Sequence, residues 1–228
     1  MRTSPLHIAC TRRLDPGLKA TALAKGVELQ DVDLLNYEYL DTPAIRSTLA
    51  VNTAPLVLTS RHALRALAAL SVNTSGQACF CTSGRTATLA EAAGLACLAK
   101  APSAAALAAP IQAARVPKVL HLSANVRRRE LEEALQQTGI AVQVLEIYRK
   151  ELLRKKLTDF QGILFFSPSQ IEAFRLENRL DVHTPAFCIG PTTAAQLQAY
   201  GHQQIIQAVE PSAAAVLEQV YQYFKLNQ

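Results

Sequence analysis

Six short stretches of the 228-residue chain place small hydroxyl or amide residues directly behind an apolar run. They are "TRR" at 11–13, "TSR" at 59–61, "TSGRTA" at 82–87, "SAN" at 123–125, "SPS" at 167–169 and "GPTTA" at 190–194. Each reads as the joint between a buried strand and a helix. Ser, Thr and Asn at such joints cap the first helical turn by accepting from its backbone N–H groups. Those N–H groups, together with the positive end of the helix dipole, also bind carboxylates and phosphates. One further residue could move a proton. Tyr148, in "LEIYRK", follows an apolar strand and precedes a basic pair, and "LLNYEY" around Tyr37 and Tyr39 is its earlier counterpart. A tyrosine in such a connection usually packs; facing a cleft, its phenol is a neutral proton donor at pH 7.

The chemistry that is missing narrows the field. No G-x-x-x-x-G-K-[ST] occurs, no G-x-G-x-x-G follows the first strand, and there is no G-x-S-x-G. The five histidines lack ligand spacing, and His62 and His121, beside joints, read as packed or solvated side chains rather than bases. Cys10, Cys79, Cys81, Cys97 and Cys188 are odd in number, form no C-x-x-C and lie mostly in apolar runs. They read as buried small hydrophobes in a reducing compartment, with neither a metal nor a disulfide role. The formal charge of +5 and pI near 9.0 come from dispersed basic residues with few aromatics. That excludes a nucleic-acid binder and suits a cleft for an acidic small molecule. The one dense basic cluster, "NVRRRELEE", reads as a solvated helix start. No apolar run reaches the roughly 18 residues of a membrane span. The opening "MRTSPLHIACTRRLDPG" has too short an apolar stretch for a signal peptide, so a cytoplasmic address is expected.

Six joints need strands and helices in alternation to hold them. Short Val/Ile/Leu/Phe runs alternate with Ala/Leu/Glu-rich stretches, the pattern of parallel sheets covered on both faces. Strands are predicted near 6–11, 27–33, 55–59, 78–82, 95–98, 118–122, 141–148, 162–166, 186–189 and 204–208. Helices are predicted over 61–70, 85–93, 126–138, 168–178, 192–200 and 211–225, with 101–117 as one modest helix between prolines. The pattern occurs twice. Ser60 and Ser167, 107 residues apart, end equivalent runs, and "ACFCTSGRTATLAEAAGLA" matches "AFCIGPTTAAQLQAYGHQ" at an offset of 108. "LHIACTRRL" and "KGVELQDVDLLNYEY" together resemble "VLHLSANVRRRELEEALQQTGIAVQVLEIYRK", with Gly26 and Gly139 113 residues apart. Three segments recurring in one order indicate a doubled α/β unit. Its joints lie at the carboxyl edges of the sheets, where ligands sit, and the two anion-binding rims are expected to face each other.

"FFSPSQIEAF", "IGPTTAAQL", the N-x-x-R-x-E-L stretch followed by "EIYRK", the opening "CTRR" and "LVLTSRHAL" resemble uroporphyrinogen-III synthase. The resemblance runs through nearly the whole chain in the same order. It implies an α/β fold of two similar parallel-sheet (flavodoxin- or Rossmann-like) lobes joined by a two-stranded antiparallel β hinge. Lobe 1 would take residues 1–35 and 153–228, the inserted lobe 2 residues 41–144, and the hinge strands 36–40 and 145–152. It implies a lyase that cyclises hydroxymethylbilane, a linear tetrapyrrole with acetate and propionate arms, to uroporphyrinogen III. Ring D is inverted and water is lost, as a step of haem biosynthesis. It further implies a monomer with no metal, no organic cofactor, and no nucleic-acid or membrane partner. By position, Tyr148 matches the family's hinge tyrosine and is the expected proton donor to the departing hydroxyl. Ser167, Thr192, Thr193 and Thr86 match cleft positions expected to hold carboxylate arms; Ser60, Arg12, Arg85, Ser123 and Asn125 are expected to assist. Arg13 stands where the family often has Pro, Ala124 where it often has Gly, and "TSR" where "TSP" is usual. The residues also admit a non-catalytic intracellular two-lobed binding protein for an acidic small molecule, which has no use for a hinge phenol.

Overall fold

The computed structural model describes residues 4–127 and 129–226. Residues 1–3 of the N-terminal stretch, and Arg128 within the helix predicted over 126–138, lie outside the described residues. In chain order the first elements are β1 (Leu6–Cys10), α1 (Pro16–Ala24), β2 (Val27–Asp31), β3 (Leu35–Tyr39), α2 (Pro43–Val51), β4 (Leu56–Leu58) and α3 (Arg61–Ala69). Next come β5 (Ala78–Thr82), α4 (Arg85–Ala92), β6 (Ala96–Ala101), a 3-10 turn (Ala105–Leu107), α5 (Ala108–Ala113), β7 (Lys118–Ala124) and α6 (Glu130–Gln136). The last are β8 (Ala141–Leu152), β9 (Gly162–Phe165), α7 (Pro168–Arg175), β10 (Ala186–Cys188), α8 (Pro191–Ala199), β11 (Ile205–Gln207) and α9 (Ala213–Tyr223). No helix among the described residues is long and apolar enough to cross a membrane.

Two stretches depart from the sequence reading. A helix, α2, forms where none was expected: Pro43 opens it and Thr42 caps it, accepting from Ile45 N–H at 3.2 Å. Its buried stripe is only Ile45 and Leu49, too little for a periodicity signal. The 101–117 stretch is not one helix. Strand β6 claims residues up to Ala101, Ser103 then caps the 3-10 turn through Ala106 N–H at 3.2 Å, and α5 is only six residues long.

The chain forms two compact units. One takes the described residues up to Asn36 and those from Glu151 on; the other is Tyr37–Lys150. The first unit holds an all-parallel sheet of order β11-β10-β9-β1-β2. Ile8, Cys10, Leu164 and Phe187 point to the face covered by Ala22 of α1 and Val216 and Val220 of α9. Ala9, Ile163, Phe165, Ala186 and Cys188 point to the other, against Ile171 and Phe174 of α7 and Leu197 of α8. Alternate residues enter opposite cores, so the central residues of β1, β9 and β10 are apolar in succession. At Gly162 even a methyl group is excluded: a Cβ there would meet Ile8 Cδ1 at 3.0 Å and the Pro185 carbonyl at 3.3 Å.

The second unit holds a sheet of order β3-β8-β7-β4-β5-β6. From β8 to β6 its neighbours pair in parallel. β3 runs antiparallel to β8, since Leu40 N–H donates to Ile147 C=O and Leu153 N–H to Leu34 C=O, both at 2.9 Å. Leu56, Leu58, Cys79, Cys81, Leu120 and Leu122 face α2, α3 and α4. Val57, Phe80 and Val119 face Ile111 of α5 and Leu131 and Leu135 of α6.

The duplication is explicit in the topology. Substituting β6, β5, β4, β7 and β8 for β11, β10, β9, β1 and β2 reproduces the strand order of the first sheet within the second. The helix stops correspond as well. Gly26 and Gly139, behind α1 and α6, have φ of 79° and 78°, and Gly94 and Gly201, behind α4 and α8, have 75° and 77°.

Candidate active site

At the carboxyl edge of a parallel sheet each strand hands over to the N-terminus of a helix. In the second unit aromatic rings and a histidine gather beside that edge. Strand alternation puts Tyr37 and Tyr39 on one face of β3, β8 supplies Tyr148, and the first turn of α3 brings in His62. The His62 ring stacks on Tyr37 with centroids 3.6 Å apart and planes 8° from parallel, and its Nδ1 lies 3.1 Å from Tyr39 Oη. Tyr148 completes the group, 5.8 Å from the His62 centroid and 6.3 Å from that of Tyr37. Burial, aided by the positive charges of Arg61 and Arg65, pushes His62 down to about 4. The ring is therefore neutral at pH 7, and its Nδ1 can accept a hydrogen bond from the Tyr39 hydroxyl. Tyr148 is 6% exposed. Burial raises its phenol above the ordinary tyrosine value, while a hydrogen bond with the Ser60 hydroxyl pulls the other way. Tyr37 is raised by burial and then by Tyr148. Both phenols hold their protons at neutral pH.

Ser60 links this group to a helix N-terminus. Its Oγ accepts from His62 N–H at 3.2 Å, capping α3, and acts on the neighbouring Tyr148 phenol. A basic rim adjoins it. The charge on Arg61 is disfavoured first by burial and then by Arg65, with Arg85 adding to it. Among the described residues no carboxylate pairs with any of these three arginines. Arg85 and the buried Thr86 open α4 behind Gly84, whose φ of 71° suits glycine and which brings no capping side chain. The first-turn N–H groups there are placed for an anion.

Two other expected residues of this unit turn to structural work. Ser123 is 3% exposed and donates to the Ala124 carbonyl at 3.2 Å. Asn125 accepts from Lys150 N–H at 3.0 Å and donates its own N–H to the Tyr148 carbonyl at 3.3 Å, tying the end of β7 to β8 beside the phenol.

Sequence reasoning missed a buried chain of polar groups behind Ser60. Thr59 Oγ1 lies 3.2 Å from His121 Nε2, and His121 Nδ1 lies 3.2 Å from Glu132 Oε1. Arg127 Nε donates to that same oxygen at 2.7 Å. Burial alone would raise the Glu132 carboxyl, but its bonds from His121 and Arg127 outweigh that and hold it at about 2. The order hydroxyl, imidazole, carboxylate is that of a nucleophile relay. His121 is buried, and this polar chain ties the joint after β4 to β7 and α6. Its members sit on β7, α6 and the joint after β4, so no local motif announces it.

In the first unit the Gln170 side chain clamps two joints, donating to the Thr11 carbonyl at 2.8 Å and accepting from Phe166 N–H at 2.7 Å. Arg12 lies over the Phe166 ring, 3.9 Å from its centroid. Ser167 is the topological counterpart of Ser60, yet its hydroxyl makes no cap bond to α7. Gly190 leaves α8 likewise without a side-chain cap, with Thr192 exposed and Thr193 3% exposed in its first turn. An open depression of about 620 Å³ at this edge is lined by Arg13, Leu14, Pro16, Lys19 and Asp31. Another of about 620 Å³, lined in part by His7, Gln161 and Thr184, opens at the amino ends of β1, β9 and β10, away from the joints.

The chain was compared with known proteins. The family model described as uroporphyrinogen-III synthase HemD (HEM4) matches residues 18–218. The fold is similar to uroporphyrinogen-III synthetase from Helicobacter pylori 26695, with TM-score 0.66 at 20% identity over 96% of this chain and 99% of that one. It is also similar to a mutant uroporphyrinogen III synthase from the extremely thermophilic bacterium Thermus thermophilus, with TM-score 0.69 at 17% identity over 98% and 100% of the two chains. The wild-type Thermus enzyme gives 0.53 at 17% identity, over 96% and 98%. No curated protein sequence matches the chain. At such identities the solved structures bear on the fold alone. The family match, however, runs through both units and takes in Tyr148 and every joint after the first, so the chain belongs to the uroporphyrinogen-III synthase family.

Proposed function

We propose that this chain acts as a uroporphyrinogen-III synthase, a lyase that closes hydroxymethylbilane with inversion of ring D and loss of water. Beyond membership of the family, the carrying observation is the Tyr148 phenol, held protonated by burial and packed against His62 at the head of α3. That phenol protonates the departing hydroxyl; water leaves and an azafulvene cation remains. Ring D attacks through its substituted carbon, the spiro intermediate fragments and re-closes, and the ring proton released at the end returns to the tyrosinate. Proton and charge balance, so the net change is one water lost.

Closure without the enzyme yields the other isomer, so the protein's main task is to hold one conformation. Positioning of this kind supplies several kcal/mol without a nucleophile. Ser60, Arg85 and Thr86 in the second unit, and Arg12, Ser167, Thr192 and Thr193 in the first, are the groups that receive acetate and propionate arms. The first turn of α4, which has no capping side chain, supports this role, because its N–H groups prefer an anion to none. Ser123 and Asn125 position the end of β7. The enzyme works as a monomer in the cytoplasm, and its five free thiols suit a reducing compartment.

The test generates hydroxymethylbilane in situ, adds the protein, oxidises the product and separates type I from type III uroporphyrin. Type III in excess is expected. Type I alone, with the bilane retained by the protein, overturns the enzyme reading in favour of a binding protein.

A further inference from the structure

Cys79 and Cys81 stand two residues apart on β5 and so share a face, while Cys97 lies on β6 opposite Cys79. The pairing then skips Leu98, a bulge that leaves this side chain 52% exposed on the edge strand. Cys97 Sγ ends 3.4 Å from Cys79 Sγ and 3.8 Å from Cys81 Sγ, and all three sulfurs lie within 4.8 Å of one another. A metal–thiolate bond of about 2.3 Å requires sulfurs about 3.8 Å apart in tetrahedral geometry and about 4.0 Å apart in a trigonal plane. The two gaps from Cys97 lie within about 0.6 Å of those values and the third is no more than 4.8 Å, so small side-chain rotations would bring the sulfurs to coordination distance. Cys79 and Cys81 are fully buried in the core face that Ala87 and Ala90 of α4 cover. Cys97 is only partly buried, on the sheet's edge, and gives an ion a way in.

We propose that Cys79, Cys81 and Cys97 form a three-sulfur site for one soft, thiophilic divalent cation, apart from the Tyr148 chemistry. Among the described residues no His, Asp or Glu joins the three sulfurs, and an all-thiolate donor set selects soft ions over magnesium or calcium. Burial, aided by the neighbouring thiols, raises Cys79 and Cys81 above the ordinary thiol value. One divalent ion held by three thiolates makes a complex of charge −1, the displaced thiol protons passing to solvent. Lys100, paired with Glu91 and close enough to act on Cys81, partly balances that charge. The bound ion would clip β5 to β6 beneath α4.

The test titrates the full, reduced, metal-free chain with cadmium ion alone. A sulfur-to-cadmium charge-transfer band saturating at one ion per chain is expected, with protons released, tighter binding as pH rises and a higher melting temperature. X-ray absorption on the wild-type complex should give three sulfurs around cadmium, a readout that needs no variant to fold. Cys97→Ser should weaken binding at least about 100-fold, whereas Cys188→Ser, in the other unit, should leave it unchanged. No band at one equivalent, an oxygen-dominated shell, or equal loss in Cys188→Ser overturns the proposal.

Discussion

Tyr148→Phe removes one oxygen from a packed ring group and leaves its contacts with His62 and Tyr37 in place. Turnover should fall at least about 100-fold, the low end for a lost general acid. Stability should fall by only about 1 kcal/mol, for the buried hydroxyl's polar contacts. Steady-state kinetics and a thermal melt check both, and a wild-type rate removes the phenol from the mechanism. His62 gives a pH prediction whose sign follows from its depressed value. The unfolded ring protonates near 6.5 and the folded one near about 4, so stability is full above 6.5, declines between them and levels off below. The loss is about 3 kcal/mol. Glu132 acts lower: its contribution is complete above the ordinary 4.5 and goes as pH falls toward about 2. Urea midpoints against pH should therefore show two separate declines, and His62→Gln should abolish the upper one. Tyr148 could be read from the sequence because its strand and basic flank are contiguous. His62 with Tyr39, Thr59 with His121, and Cys97 with Cys79 could not, since each pair meets only through the packing or pairing of different elements.

The strands were readable as elements because burial on both faces leaves no polar position to blur the run. The helix α2 was not, because two buried residues make no period, and in 101–117 Ala content alone does not show that a 3-10 turn leaves only six residues to α5. The uncapped helix starts carry the clearest test at this level. Gly190 has φ of −179° and ψ of 178°, extended backbone open to any residue, and no atom stands within 4 Å of a Cβ placed there. Gly190→Ser should cap α8 and stabilise the protein by a few tenths of a kcal/mol, as Ser gains on Gly at this position. The same hydroxyl would occupy N–H groups proposed for a carboxylate arm, so KM should rise. A stabilised variant with unchanged KM would remove α8 from substrate binding.

Each unit buries its own pair of cores, and the cysteines divide between them: Cys10 and Cys188 in the first, Cys79, Cys81 and Cys97 in the second. Leu120→Ala, in the second unit's core, should cost about 2–5 kcal/mol. Alkylation at rising urea, read by peptide mass, should then label Cys79, Cys81 and Cys97 earlier while Cys10 and Cys188 keep their wild-type midpoints. Simultaneous labelling of all five would mean that the chain melts as one body. At this scale the repeats carried the information, because strand order follows from a duplication that leaves matching serines and glycines along the chain. The two copies differ in where the chain enters them, and this bears on synthesis. β1 is flanked by β2 and by β9, and β9 begins only at Gly162. At about 5–20 residues per second, the ribosome needs on the order of 10 s to deliver that neighbour. Meanwhile β1 presents a bare edge to its crowded surroundings while the second unit can already be complete. Nascent chains arrested in that interval should be the species that chaperones hold and that strand-pairing aggregates recruit.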